Sequence, residues 1–372
     1  MVCLMKALRL FAILSIASLI WAQGPVTQGS ETVAKPKKKA DDSSSDAAPA
    51  ADANKIPSKF NKKDVPQGVP VFSTDALTIS VDVAVLDNKD HFIPKLPKSY
   101  FRILEDNAPQ EVKTFSIGEA PMTIAMVVEF SALFQQYYAQ GWFETLNASY
   151  GFLQTLKPED YVAVVAYDLK SEILSDFSIN RQDAYEAMQR LRIPGFREAC
   201  LYDAVVDTAD RMQDIEGRKA IVLIASGVDT FSKLTYDKTR KAIQNAGVPI
   251  YAIGLLQAAR IMAGSRGDSM TFLQADNQMK TFATESGGMA FFPRFYGEMP
   301  DIFHTISEAM RNQYVLTYSP SNQARDGKFR KIKVELINPE TNEPWAMRDD
   351  KGKPIKYKII AKNGYNAPRK VE

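Results

Sequence analysis

The carboxylates Glu129, Glu198 and Asp229 and the hydroxyl of Ser131 stand where this chain could do chemistry. Two carboxylates within reach of one substrate can act as general acid and base. Glu129 closes the apolar run Thr123-Ile124-Ala125-Met126-Val127-Val128 and is followed by Phe130-Ser131-Ala132-Leu133-Phe134. A buried strand therefore runs into a short polar turn and then a helix. In a parallel α/β sheet, ligands bind outside the carboxyl ends of the strands, which is where this turn falls. Other catalytic arrangements find little support. The 2 histidines, His91 and His304, are far apart in sequence, and Cys200 sits in the apolar helix start Ala199-Cys200-Leu201-Tyr202 as a small buried hydrophobe. No nucleophile and base stand together, and no Gly-rich loop opens a helix to cradle phosphate, so no catalytic residue is expected.

Composition agrees with a globular protein that does not rely on charge for its partners. The 372 residues are 45% hydrophobic and 24% charged, with a formal net charge of +2. Lys6 and Arg9 precede the apolar run Leu10 to Ile20, and Ile20-Trp21-Ala22 is a small-residue cleavage site, so residues 1–22 are expected to be a signal peptide. Losing those two positive charges brings the chain from +2 to about zero, which gives no field for nucleic acid or an anionic membrane. The apolar run is too short to span a bilayer comfortably, so no transmembrane segment is expected after cleavage. The expected location is periplasmic, cell-surface or extracellular. Cleavage also removes Cys3 and leaves Cys200 alone, so stability must come from packing rather than an internal disulfide. Residues 23–67 are rich in Ala, Lys, Asp, Ser and Pro; they cannot bury enough surface to offset ordering entropy and are expected to be a disordered linker.

The elements that must position the turn alternate in type. Strands are expected at Thr123–Val128, Tyr161–Tyr167, Lys219–Ile224, Pro249–Gly254 and Met289–Phe292, with an antiparallel edge at Glu172–Phe177. Helices are expected at Phe134–Leu156, Gln182–Leu191, Leu201–Ile215, Tyr236–Ala246, Thr271–Ser286 and Glu298–Asn312. That order predicts an α/β domain with a doubly wound, mostly parallel sheet over residues 120–312. Period-two patterns flank it: Leu77, Ile79, Val81, Val83 and Val85 within residues 68–119, and Phe329 to Leu336 and Ile355 to Ile360 within residues 313–372. The N- and C-terminal strands are expected to form one small antiparallel β-sandwich with the α/β domain inserted in it; two separate β pieces are the alternative.

Several segments, in order, carry a family likeness: Phe101-Arg102-Ile103-Leu104-Glu105-Asp106-Asn107, Leu201-Tyr202-Asp203-Ala204, Glu285-Ser286-Gly287-Gly288, Tyr314-Val315-Leu316-Thr317-Tyr318-Ser319-Pro320 and Lys362-Asn363-Gly364-Tyr365. Together they resemble the secreted bacterial branch of the von Willebrand factor type A family, the related proteins abundant in acidobacteria. The resemblance implies a strand-tip site for Mg²⁺ built from Asp-x-Ser-x-Ser, a loop Thr and a strand-end Asp, with a partner's carboxylate completing the shell. Here those positions hold Glu129, Ser131, Leu133, Ala199 and Ser226, with Asp229 slightly beyond. Two are alkyl groups, one carboxylate has become a hydroxyl, and Glu129 is a methylene too long. The site is expected to be degenerate, with no metal or other cofactor retained. The expected function is an exported, non-enzymatic adhesion or assembly module that binds another protein, with Phe134, Tyr137 and Glu198 as candidate contacts. The alternatives are a structural subunit of a cell-envelope complex that contacts partners through its β-sandwich, and a carboxylate-dependent hydrolase.

Overall fold

The computed structural model describes residues 77–369 apart from 90, 119–120, 133–140, 192–195, 214, 216, 263–268 and 349–351. The expected signal peptide and linker lie outside the described residues, as do Leu133, Phe134 and Tyr137.

The strand that carries Glu129, β5 (Met122–Glu129), is buried at every position. It does not alternate because both of its faces are covered. Ile124, Met126 and Val128 pack in one core with Phe152, Met188, Phe303 and Met310. Ala125 and Val127 pack in another with Val205, Met212, Ile243 and Phe282. A strand buried on both faces reads as a continuous apolar run, which is the mark of a parallel sheet between helical layers. Its parallel neighbours are β6 (Tyr161–Tyr167) and β8 (Arg218–Ala225). With β9 (Ile250–Gly254), β10 (Ala290–Phe291) and the antiparallel edge β7 (Ser171–Ser178), the six-stranded order is β10-β9-β8-β5-β6-β7. Helices α1 (Gly141–Thr155), α2 (Arg181–Gln189) and α7 (Met299–Arg311) supply residues to the first core. Helices α3 (Leu201–Gln213), α4 (Tyr236–Ala246) and α6 (Ser269–Ser286) supply the second. The segment after β9 includes a short helix, α5 (Leu256–Met262).

Two further four-stranded sheets are antiparallel, with orders β13-β1-β11-β4 and β14-β12-β2-β3. The strands are β1 (Ile79–Asp87), β2 (Phe101–Glu105), β3 (Ala108–Gln110), β4 (Val112–Gly118), β11 (Gln313–Tyr318), β12 (Phe329–Leu336), β13 (Tyr357–Ala361) and β14 (Gly364–Asn366). Each sheet mixes strands from both ends of the chain. Val81, Val83 and Val85 of β1 and Tyr314, Leu316 and Tyr318 of β11 meet Ile103, Ile332, Val334 and Leu336 in one core. Strand β12 keeps a clean alternation of exposed and buried residues, whereas β1 loses it from Val83 onward. The reason is tertiary: Ala84 and Leu86, on the outer face of β1, pack into the helical core beside Met122 and Met310. Asp106 and Asn107, with φ of 48° and 68°, form the two-residue turn between β2 and β3, a left-handed pair suited to a tight hairpin. The last residue of β4 pairs with the first of β11 (Gly118 with Gln313), so the sheet of β5–β10 departs from and returns to one point of the sandwich.

That junction is fastened by a buried ion pair. Arg311 donates to Asp160 Oδ2 at 2.9 Å, and the side chains are 10% and 0% exposed. The same carboxylate accepts the Met122 N–H at 2.9 Å and the Lys157 N–H at 2.8 Å. Both oxygens of the buried carboxylate thus keep hydrogen-bond partners, the condition under which such a pair is tolerated in an interior.

Candidate functional site

The chain leaves β5 toward β6 and returns on the other side at β8, so the carboxyl ends of β5 and β8 flank the point where strand order reverses. Glu129 and Ser226 sit at those two ends. Glu129 is 0% exposed and its carboxylate is fully engaged. Oε2 accepts the Ser226 N–H at 2.7 Å, the Ser226 hydroxyl at 2.7 Å and the Tyr167 hydroxyl at 3.3 Å. Oε1 accepts the Ser131 hydroxyl at 2.9 Å. Burial raises the Glu129 carboxyl above its ordinary 4.5, and the hydrogen bonds from Ser226, Ser131 and Tyr167 oppose that shift. The Tyr167 phenol is pushed well up by its own burial and by the facing carboxylate. Tyr167 was missed by sequence reasoning; it reaches Glu129 because the two residues are paired in register across β5 and β6.

Ala199 and Asp229 belong to a neighbouring, separate fastening. Ala199 is buried; its N–H donates to Thr230 Oγ1 at 2.9 Å, and its carbonyl accepts the N–H groups of Thr230 at 2.9 Å and Phe231 at 3.1 Å. Asp229 Oδ1 accepts the Tyr202 N–H at 3.2 Å and the Ser232 hydroxyl at 2.5 Å. Asp203 answers from α3, accepting the N–H groups of Lys233 at 2.9 Å and Leu234 at 3.0 Å. The loop after β8 and the first turn of α3 thereby satisfy each other's orphan backbone donors. Asp229 is turned toward the helix start, and its carboxyl is raised chiefly by burial. Glu198 is exposed, in the segment just before Ala199.

Mg²⁺ asks for near-octahedral oxygen at about 2.0–2.1 Å. The residues present do not fit it. The hydroxyls of Ser131 and Ser226 are turned as donors onto Glu129, Ala199 has no side-chain oxygen, and Asp229 is spent on α3. Among the described residues no group of three His, Cys, Asp or Glu side chains is placed to hold a metal. The hollow nearest the site is lined by Phe130, Tyr167, Asp168, Lys170 and Arg190 among others, and not by Glu129. Cys200 is 2% exposed and burial pushes its thiol up to about 12, which keeps it from acting as a thiolate at neutral pH.

The strand-tip loops also expose apolar side chains. Phe196 and Phe231 are 48% and 56% exposed. They flank Ala199: the Phe196 carbonyl accepts the Ala132 N–H at 2.7 Å, and the Phe231 N–H binds the Ala199 carbonyl. Ile261, Met270 and Leu273, in the helices that follow β9, are also more than half exposed, at 55%, 72% and 54%. None of these was singled out from the sequence, because an isolated loop aromatic gives no sign of which way it faces.

No protein-family model and no curated protein matches the chain. Among solved structures it is similar to proximal thread matrix protein 1 from the mussel byssus, at 13% identity and a TM-score of 0.42 over 56% of this chain and 51% of that one. It is similar to a von Willebrand factor type A protein from Catenulispora acidiphila, at 10% identity and a TM-score of 0.41 over 79% of this chain and 75% of that one. A third likeness is to the vWF domain of the type V pili tip protein Mfa5 from Porphyromonas gingivalis, at 13% identity and a TM-score of 0.39 over 52% and 97%. The chain spans about half the length (51%) of the mussel protein.

Proposed function

We propose that this chain is an exported, non-enzymatic protein–protein interaction module of the von Willebrand A type, whose docking face is the strand-tip edge and whose metal site has been replaced by a hydrogen-bonded core. One observation carries the reading: the Glu129 carboxylate is closed by donors of its own chain, while Phe196 and Phe231 project from the two loops beside it. A carboxylate that is 0% exposed and absent from the neighbouring hollow is poorly placed to act on a substrate. Exposed aromatics at a concave or loop-rich edge are what protein interfaces enrich. The partner is another protein rather than nucleic acid, since the net charge offers no basic field.

A photo-crosslinking residue at Phe231, introduced into the protein in its native envelope, is expected to trap one discrete partner. Phe196→Asp with Phe231→Asp should abolish that adduct, and EDTA should leave it intact. An adduct that disappears with EDTA would overturn the metal-free reading. Ile117 and Phe329 favour the structural-subunit reading, being exposed at 50% and 37% on strands of the sandwich. Crosslinking from those positions and not from Phe231 would replace the edge by the sandwich.

A further inference from the structure

On the outer side of the first core, α1 and α7 lie side by side, with the buried rings of Phe152 and Phe303 stacked at 5.1 Å and 25° between them. Over that stack the helices part around a pocket of about 390 Å³. Its walls are Asn147 and Gly151 on the α1 side and Gly297, Pro300 and His304 on the α7 side, all exposed, with the half-buried ring of Tyr296. Small-molecule sites run to about 300–1,000 Å³, so the pocket is of that size.

Two glycines make the room. Gly151 lies inside α1, where glycine destabilises a helix relative to alanine. Gly297 lies in the turn that leads into α7. Neither has a positive φ, and a Cβ on either would meet nothing within 4 Å. Every other glycine with described surroundings has a positive φ or a neighbour that such a Cβ would strike. Neither backbone conformation nor packing within the chain calls for glycine at these two positions, yet both open onto the same pocket. What a side chain at either would fill is room for an occupant.

The lining selects what enters. None of the described lining residues is Asp, Glu, Lys or Arg. Burial pushes the Tyr296 phenol up to about 12, so it too is uncharged at neutral pH. A charged ligand would give up water here with no opposite charge to receive it. The floor and one wall are flat, since the Phe152–Phe303 stack, the Tyr296 ring and Pro300 offer faces on which a planar ring can lie. Asn147 and His304 bring hydrogen-bonding groups from the two sides. We propose that this pocket binds an uncharged aromatic small molecule that carries one hydrogen-bonding group. The site shares no lining residue with the strand-tip edge and does not depend on that edge being a docking face.

The test uses the full chain and indole, a neutral two-ring aromatic with a single N–H donor, titrated by calorimetry. One saturable site is expected. An indolecarboxylate, the same rings with a fixed negative charge, should bind at least tenfold more weakly, and N-methylindole, which lacks the donor, should also bind more weakly. Gly151→Leu should abolish indole binding while the variant melts no lower than the natural chain, because leucine is the better helix former and its Cβ meets no neighbour. Gly297→Ala, a smaller intrusion outside the helix, should weaken binding without abolishing it. Phe196→Asp with Phe231→Asp should leave binding unaltered, which separates this pocket from the strand-tip edge. No saturable heat at millimolar indole, equal or tighter binding of either relative, or full binding by the folded glycine variants would each overturn the proposal. Concentration-dependent self-association lost on Gly151→Leu would assign the pocket to a side chain of a second copy of this chain and equally overturn it.

Discussion

Glu129 decides the chemistry of the strand tips because its carboxylate has exchanged water for hydroxyl and amide donors alone. Its carboxyl is raised by burial, so the folded chain holds that proton more tightly than the unfolded one does. From the ordinary 4.5 upward, until the folded carboxyl ionises, the native state binds more protons and stability falls as pH rises. Glu129→Gln supplies an amide oxygen for Ser226 and Tyr167 and an amide donor for Ser131, so it should flatten this decline. Urea unfolding at a series of pH values would show it, and parallel curves for the two proteins would refute the raised carboxyl. Glu129→Ala should instead cost about 1–3 kcal/mol, since it leaves buried donors without an acceptor. Mg²⁺ or Mn²⁺ should leave the Tm of the natural chain unchanged, because only a ligand bound to the native state can raise it. Glu129→Asp, Leu133→Ser, Ala199→Thr and Ser226→Asp together should create metal binding and raise stability by about 2.7 kcal/mol at a metal concentration of about 100 times Kd. A folded quadruple variant with no metal response would mean that these loops do not correspond to the family's ligand positions. Glu129, Ser131 and Ser226 were legible because a strand end is visible in sequence. Tyr167 and Thr230 were not, since their roles depend on strand register and on which loops touch.

Between elements, the buried link from α7 to the loop before β6 carries the greatest local cost if broken. Asp160→Ala strands Arg311, 10% exposed at its side chain, and orphans the N–H groups of Met122 and Lys157. A loss of about 3–5 kcal/mol is expected, measured by urea unfolding. A loss below about 1 kcal/mol, the range of exposed pairs, would show that water reaches the pair. Most of the longer elements were readable. The strand expected at Tyr161–Tyr167 is found with those bounds, and the helix expected at Tyr236–Ala246 likewise. The strand expected at Met289–Phe292 is found as the shorter β10 (Ala290–Phe291). Strands β3 and β14 have 3 residues each, too few for a period of two to register. Ala84 and Leu86 interrupt the alternation of β1 for a reason no local window contains, the helical core against its outer face.

For the molecule as a whole, the pairing of Gly118 with Gln313 makes the α/β layer removable in principle. A chain in which a short turn replaces residues 119–312, with Ala84→Thr and Leu86→Lys to accept the newly exposed face, is expected to fold as a sandwich and unfold cooperatively. Dispersed amide resonances would support this, and a collapsed, non-cooperative product would show that the two layers fold only together. The same pairing determines how the molecule bears load. Because β4 and β11 lie side by side, tension entering through β1 and leaving beyond β13 crosses the sandwich ladder without passing along the backbone of the α/β layer. Stretched by its ends in optical tweezers, the chain should release the sandwich strands first and the α/β layer in a later step. Until that rupture, a partner bound at the strand tips would ride beside the rope rather than in it.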